Sequence, residues 1–132
     1  MADHNAERRI TAARTNLLLD HPFFGALALR MTMVEDPKAN GIEIDASHIY
    51  YDPEWVAQRS KAELTGAFAH CVLHLVYTHM LRRGGREQNR WDKACDQVVN
   101  ETLRQNDGLL VPEGTMYDST GKFDGRSAEE IY

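Results

Sequence analysis

Cysteine is scarce in this chain, with two among 132 residues. A disulfide-stapled scaffold is therefore excluded. With no export signal behind the polar start Met1-Ala2-Asp3-His4-Asn5, a reduced, cytoplasmic compartment is the expectation. Positive charge is not in excess either: Lys plus Arg number 15 against 20 for Asp plus Glu, a formal charge of −5. Nucleic-acid and anionic-membrane modules depend on clustered positive charge, so neither is expected. Long apolar runs are missing too, since the strongest, Phe68 to Leu75, is interrupted by two histidines and is far too short to cross a bilayer. There is no internal repeat and no low-complexity segment. What is present is an ordinary globular balance, 42% hydrophobic and 27% charged, on a length that suits one domain over residues 1–132. Such a chain can bury roughly two-thirds of its unfolded surface, enough for a core without crosslinks.

Periodicity places the elements. Ile10, Ala13, Leu17 and Leu18 recur at helical spacing, predicting an amphipathic helix over Glu7–Leu19 that stops before His21-Pro22. Leu27 to Val34 alternates well enough for a strand, and the turn-rich run Asp36 to Gly41 follows it. Ile42–Asp45 and Ile49–Tyr51 read as two short strands. Asp52-Pro53-Glu54 opens a short helix, and Ser60 with Glu63 forms a capping box for a long one, Lys61 to about Arg83, stopped by Gly84-Gly85. A further helix is expected over Asn89–Gln105, and Ser127–Tyr132 looks like a helix cut short. Helix, strands, then helices indicate an α+β domain with a small antiparallel sheet. Tyr50, Tyr51 and Trp55 are expected as core anchors.

The chemistry concentrates in Ala69-His70-Cys71-Val72-Leu73-His74. Histidines four residues apart lie about 40° apart on a helix, one turn above the other, so their rings can meet at one metal ion. Leu64, Phe68, Val72, Leu75 and Val76 occupy the other face. The pair reads equally as two satisfied core or surface histidines, because the spacing is common. A catalytic zinc site normally takes three protein ligands plus water. In the next helix Trp91, Ala94, Cys95 and Val98 form an apolar stripe, and Asp92, Asp96 and Asn100 an adjacent one. Asp96 lies beside the buried seam, where an unpaired carboxylate is costly and a cation relieves it; the other reading pairs it with Lys93 or Arg104 on the surface. Asp92, near the helix start, is expected to favour the positive end of the dipole. Cys95 reads as a small core residue. His79, five residues after His74, projects roughly 140° away on the helical wheel and reads as structural. The extended zinc motif that needs Gly and His further along is absent, since Tyr77 and Met80 stand there.

Four segments together carry a resemblance: Ile49 to Val56, Ala69 to Leu75, Arg90 to Asn100, and Ser127 to Tyr132. In order and over nearly the whole chain they resemble the putative metallopeptidase domain of bacterial and phage proteins, a family often fused to a C-terminal von Willebrand factor A-like domain. The resemblance implies a compact gluzincin-like zinc peptidase fold, with an active-site helix packed on a small sheet and a following helix that supplies an acidic ligand. His70 and His74 match the two metal histidines, and Asp96 the acidic position; the implied cofactor is Zn2+. It also implies a peptide or protein substrate, with the von Willebrand factor A-like domain as a partner if the chain is a domain excised from a longer one.

One position departs from the family pattern His-Glu-x-x-His: Cys71 stands where the glutamate belongs. That glutamate is the general base, taking a proton from the attacking water and passing it to the leaving amine. Cysteine has a shorter arm and a reference pKa near 8.5, and losing general-base transfer typically costs ~10²–10⁴-fold. Three readings of Cys71 stay open: a silencing replacement, a thiolate ligand to the metal, or a nucleophile lacking an orienting third group. The expectation is a zinc-binding, peptidase-like domain that is inactive or strongly weakened. The rival is a non-catalytic module that binds a peptide or partner on the same fold, with a strand among Ile42 to Tyr51 offering an edge for strand addition.

Overall fold

The computed structural model describes residues 4–45, 47–106 and 109–132. Two helices open the chain, α1 (His4–Asp20) and α2 (Pro22–Leu29). The stripe expected on α1 is its buried face, with Ile10, Ala13 and Leu17 at 0–1% exposure. Pro22 does end α1, but it also starts α2 from the first turn, where its missing N–H costs nothing. The strand expected from Leu27 therefore begins only at Thr32. Gly25 permits the tight corner, because a Cβ there would fall 2.2 Å from the Leu18 Cα.

Three short strands follow, β1 (Thr32–Glu35), β2 (Ile42–Ile44) and β3 (His48–Tyr51). β2 and β3 form an antiparallel hairpin, while β1 lies parallel to β3 on its other side, giving the order β1-β3-β2. The α+β class holds, but the sheet is mixed rather than antiparallel: the link through β2 returns β3 alongside β1 in the same direction. Tyr51 is buried and Trp55 packs against the core, as expected. Tyr50 is not a core anchor. Its hydroxyl donates to Asp45 Oδ2 at 2.6 Å, tying down the β2–β3 turn.

After α3 (Pro53–Ala57), capped by Asp52, comes α4 (Lys61–Val76). The expected capping box is formed: Glu63 N–H donates to Ser60 Oγ at 3.1 Å, and Ser60 N–H to Glu63 Oε1 at 3.0 Å. α4 is the central element, buried continuously from Leu64 to Leu73. It does not reach Arg83. Thr78 adopts a left-handed conformation (φ 54°), and a separate turn of helix, α5 (His79–Arg82), sets off in a new direction. The Arg82 guanidinium donates to the freed Tyr77 carbonyl at 2.7 Å, satisfying the end of α4.

α6 (Gln88–Arg104) packs on α4. Its cap is Glu87, whose carboxylate accepts from the Asn89 and Arg90 N–H groups at 3.0 and 2.7 Å. Glu87, not Asp92, is thus the anion at the positive end of this helix; Asp92 accepts instead from Gln88 Nε2 at 2.6 Å. Trp91, Ala94 and Cys95 form a second small core with Ala128 of α7 (Ala128–Ile131). Arg82 forms an ion pair with Glu129, joining α5 to α7. No described helix is long and apolar enough to cross a membrane.

Candidate metal centre

His70 and His74 lie on the side of α4 that meets α6. The packing of the two helices delivers Asp96 to the same point. His70 Nε2 and His74 Nε2 are 3.0 Å apart, and they lie 3.1 and 3.0 Å from Asp96 Oδ1. The surface pairing of Asp96 with Lys93 or Arg104 is not the one seen. Its partners are the two imidazoles, and its side chain is only 21% exposed.

Whether this cluster suits a metal can be tested on its own geometry. Ligand atoms about 2.0–2.1 Å from a tetrahedral zinc stand about 3.3 Å from one another. Three atoms converging at 3.0–3.1 Å form nearly that triangle. Two imidazoles and a carboxylate are also a donor set that borderline divalent cations accept. Among the described residues this is the one group of three or more potential ligands that could hold an ion.

Burial alone would raise the Asp96 carboxyl. Hydrogen bonds from His70 and His74, and the positive charge those rings can carry, outweigh it and hold the group down at about 2. The site thus stabilises an anion at Asp96 whenever a cation sits opposite it, whether shared protons or a metal.

Each histidine is also held from behind, which the sequence did not reveal. His70 Nδ1 lies 2.9 Å from Asn100 Oδ1, and His74 Nδ1 lies 3.0 Å from His79 Nδ1. Asn100 was visible as one member of a polar stripe, but without an assigned partner. His79 is a correction. The break at Thr78 folds its ring back on His74 instead of turning it away, and it packs against Tyr77 and Trp91, whose Nε1–H donates to the His79 carbonyl at 3.0 Å. His79 is 3% exposed, and its Nε2 has no partner among the described residues. Burial first, then the neighbouring charges of His74 and Arg82, push its pKa down to about 4, so the ring is neutral at pH 7. An outer hydrogen bond to a ligating histidine is the usual device for orienting it.

Cys71 borders the same cleft, about 680 Å³ in volume, which β2 also lines through Ile42, Glu43 and Ile44. Cys71 is 4% exposed. Burial, with the charges of Asp96 and Glu43, raises its thiol to about 12. In the metal-free protein that holds it as a protonated thiol at neutral pH. Cys95 is buried in the second core, and burial raises its thiol also to about 12.

No curated protein and no solved structure matches the chain. A family model does: the one described as the putative metallopeptidase domain matches residues 5–132, and the chain belongs to that family.

Proposed function

We propose that this domain is a zinc-binding member of its family, built for peptide-bond hydrolysis but strongly weakened because Cys71 replaces the general base. The observation that carries the reading is the convergence of His70 Nε2, His74 Nε2 and Asp96 Oδ1 within 3.1 Å of one another, in a cleft that also contains Cys71. His70, His74 and Asp96 would hold the ion, His79 and Asn100 would orient the two rings, and β2 would present an edge to an extended peptide. Bound zinc supplies Lewis acidity toward a peptide carbonyl and an attacking water.

The step this chain performs poorly is proton transfer. A thiol held near 12 accepts no proton at pH 7, and its arm is shorter than the glutamate's. The result is metal binding without efficient turnover, an effect of ~10²–10⁴-fold. The same buried, protonated Cys71 favours the second reading, a non-catalytic module that engages a peptide or partner along this cleft.

Cys71→Glu decides between them. Loaded with zinc, that variant should cleave an unstructured, quenched-fluorescent peptide at least a hundredfold faster than the wild type, in line with the size of general-base effects. A zinc-loaded variant as inert as the wild type would favour the binding module.

A further inference from the structure

The inner face of α6 carries two uncharged amides. Gln97 and Asn100 are 2% and 0% exposed. Buried amides need partners, and both find them in one stretch of the tail. Gln97 Nε2 donates to the Asp118 carbonyl at 3.0 Å, and Asp118 N–H donates back to Gln97 Oε1 at 2.6 Å. Asn100 Nδ2 donates to Thr115 Oγ1 and to the Met116 carbonyl, each at 2.9 Å. The same stretch crosses α4 at Gly66, where an added Cβ would fall 2.2 Å from the Leu110 carbonyl oxygen. Residues 109–118 are therefore a strap over both helices that carry the candidate ligands, and Gly114 and Thr115 border the cleft.

The strap has a consequence for a proton. A backbone carbonyl only accepts, so Met116 dictates which end of the Asn100 amide is the NH2. Thr115 agrees: its hydroxyl donates to the Pro112 carbonyl at 2.7 Å, leaving a lone pair for Asn100. The amide oxygen is left facing His70 Nδ1 at 2.9 Å. His70 then donates from Nδ1; a neutral ring so held turns its Nε2 lone pair toward His74 and Asp96, and only the doubly protonated ring also donates to Asp96. In the neutral ring that lone pair, 3.1 Å from a carboxylate oxygen, is repelled unless a cation lies between them.

We propose that Asn100 is a positioning residue of the metal centre. Its amide, oriented by Thr115 and Met116, accepts from His70 Nδ1 and so leaves the Nε2 lone pair of the neutral ring for the ion. This rests on the metal-centre reading and adds a role for the tail that neither ligand spacing nor family membership supplies.

The test is titration of the full chain with Zn2+ or Co2+ alone, against a competing chelator, beside limited proteolysis of the strap. Asn100→Ala should weaken binding about 10–100-fold, the usual effect of losing a partner behind a ligating histidine. Asn100→Asp keeps an acceptor for His70 Nδ1 but cannot donate to Met116. It should bind metal within about threefold of the wild type, a small fraction of that same effect, while its strap is cut faster. A purely structural Asn100 would make metal affinity fall in both variants along with strap protection. The proposal is overturned if Asn100→Ala binds as tightly as the wild type, or if Asn100→Asp binds as weakly as Asn100→Ala. Should Asn100→Ala fail to fold, Asn100→Asp alone decides, retained affinity supporting the proposal and lost affinity defeating it. A wild-type chain that binds neither ion defeats the metal-centre reading itself.

Discussion

Asp96→Asn is the most direct probe of the proposed metal centre, because it preserves shape and removes the one carboxylate of the cluster. Anything that binds only the folded state stabilises it by RT ln(1 + [L]/Kd), about 2.7 kcal/mol for zinc at about a hundred times its Kd. In a chain of this size each kcal/mol moves the melting temperature by about 4 °C, so the wild type should gain about 10 °C. Asn at 96 keeps an oxygen near His70 and His74 but not its charge. A loss of about a hundredfold in affinity, at least that of an outer partner, leaves the same zinc concentration near Kd and the stabilisation near 0.4 kcal/mol. The zinc-induced shift should then fall to about 2 °C. Differential scanning fluorimetry of both proteins, stripped with chelator and reloaded with graded zinc, measures it. An undiminished shift in Asp96→Asn would refute the site, because the ion would then be bound elsewhere.

Other perturbations separate the remaining parts of the argument. In metal-free protein His79 is held at about 4 by burial, below its ordinary 6.5. The unfolded chain therefore binds a proton that the fold does not, and the stability present above pH 6.5 drains away as pH falls toward 4, on the order of 3 kcal/mol in all. His79→Phe should flatten that limb, read from urea midpoints between pH 7 and 4.5; an unchanged slope would place the titration elsewhere. Gly66→Ala drives a Cβ to 2.2 Å from the Leu110 carbonyl oxygen and should cost about 1–3 kcal/mol in denaturant unfolding. A neutral result there would mean the strap does not press on α4.

Much of this arrangement could be read from the chain because the signals were local. The Ser60–Glu63 box fixed the start of α4, the Trp91, Ala94 and Cys95 stripe fixed the buried side of α6, and spacing put His70 above His74. Strand direction is not local. Nothing within Thr32–Glu35 or His48–Tyr51 says that the two run parallel, because the choice depends on how β2 returns between them. The strand expected from Leu27 started too early for a different reason: Leu27, Ala28 and Leu29 close α2, and so short an apolar run carries no period that separates helix from strand.

His79 was misplaced by an assumption. Wheel arithmetic holds only while the helix continues, and α4 ends at Val76. The break turns on Thr78, a β-branched residue in a left-handed conformation at φ 54°. Such backbone costs of order 1–3 kcal/mol and persists only where its surroundings over-determine it. Here they do: Arg82 holds the Tyr77 carbonyl at 2.7 Å, and the Trp91 indole N–H donates to the His79 carbonyl at 3.0 Å. Among the contacts that the break makes is the one at the site, His79 Nδ1 3.0 Å from His74 Nδ1. A continuous helix would avoid the cost and leave His74 without its partner. Strained backbone concentrates at functional sites. The kink after α4 therefore belongs with the proposed metal centre, set by α5 and Trp91 and invisible to any periodicity within α4 itself.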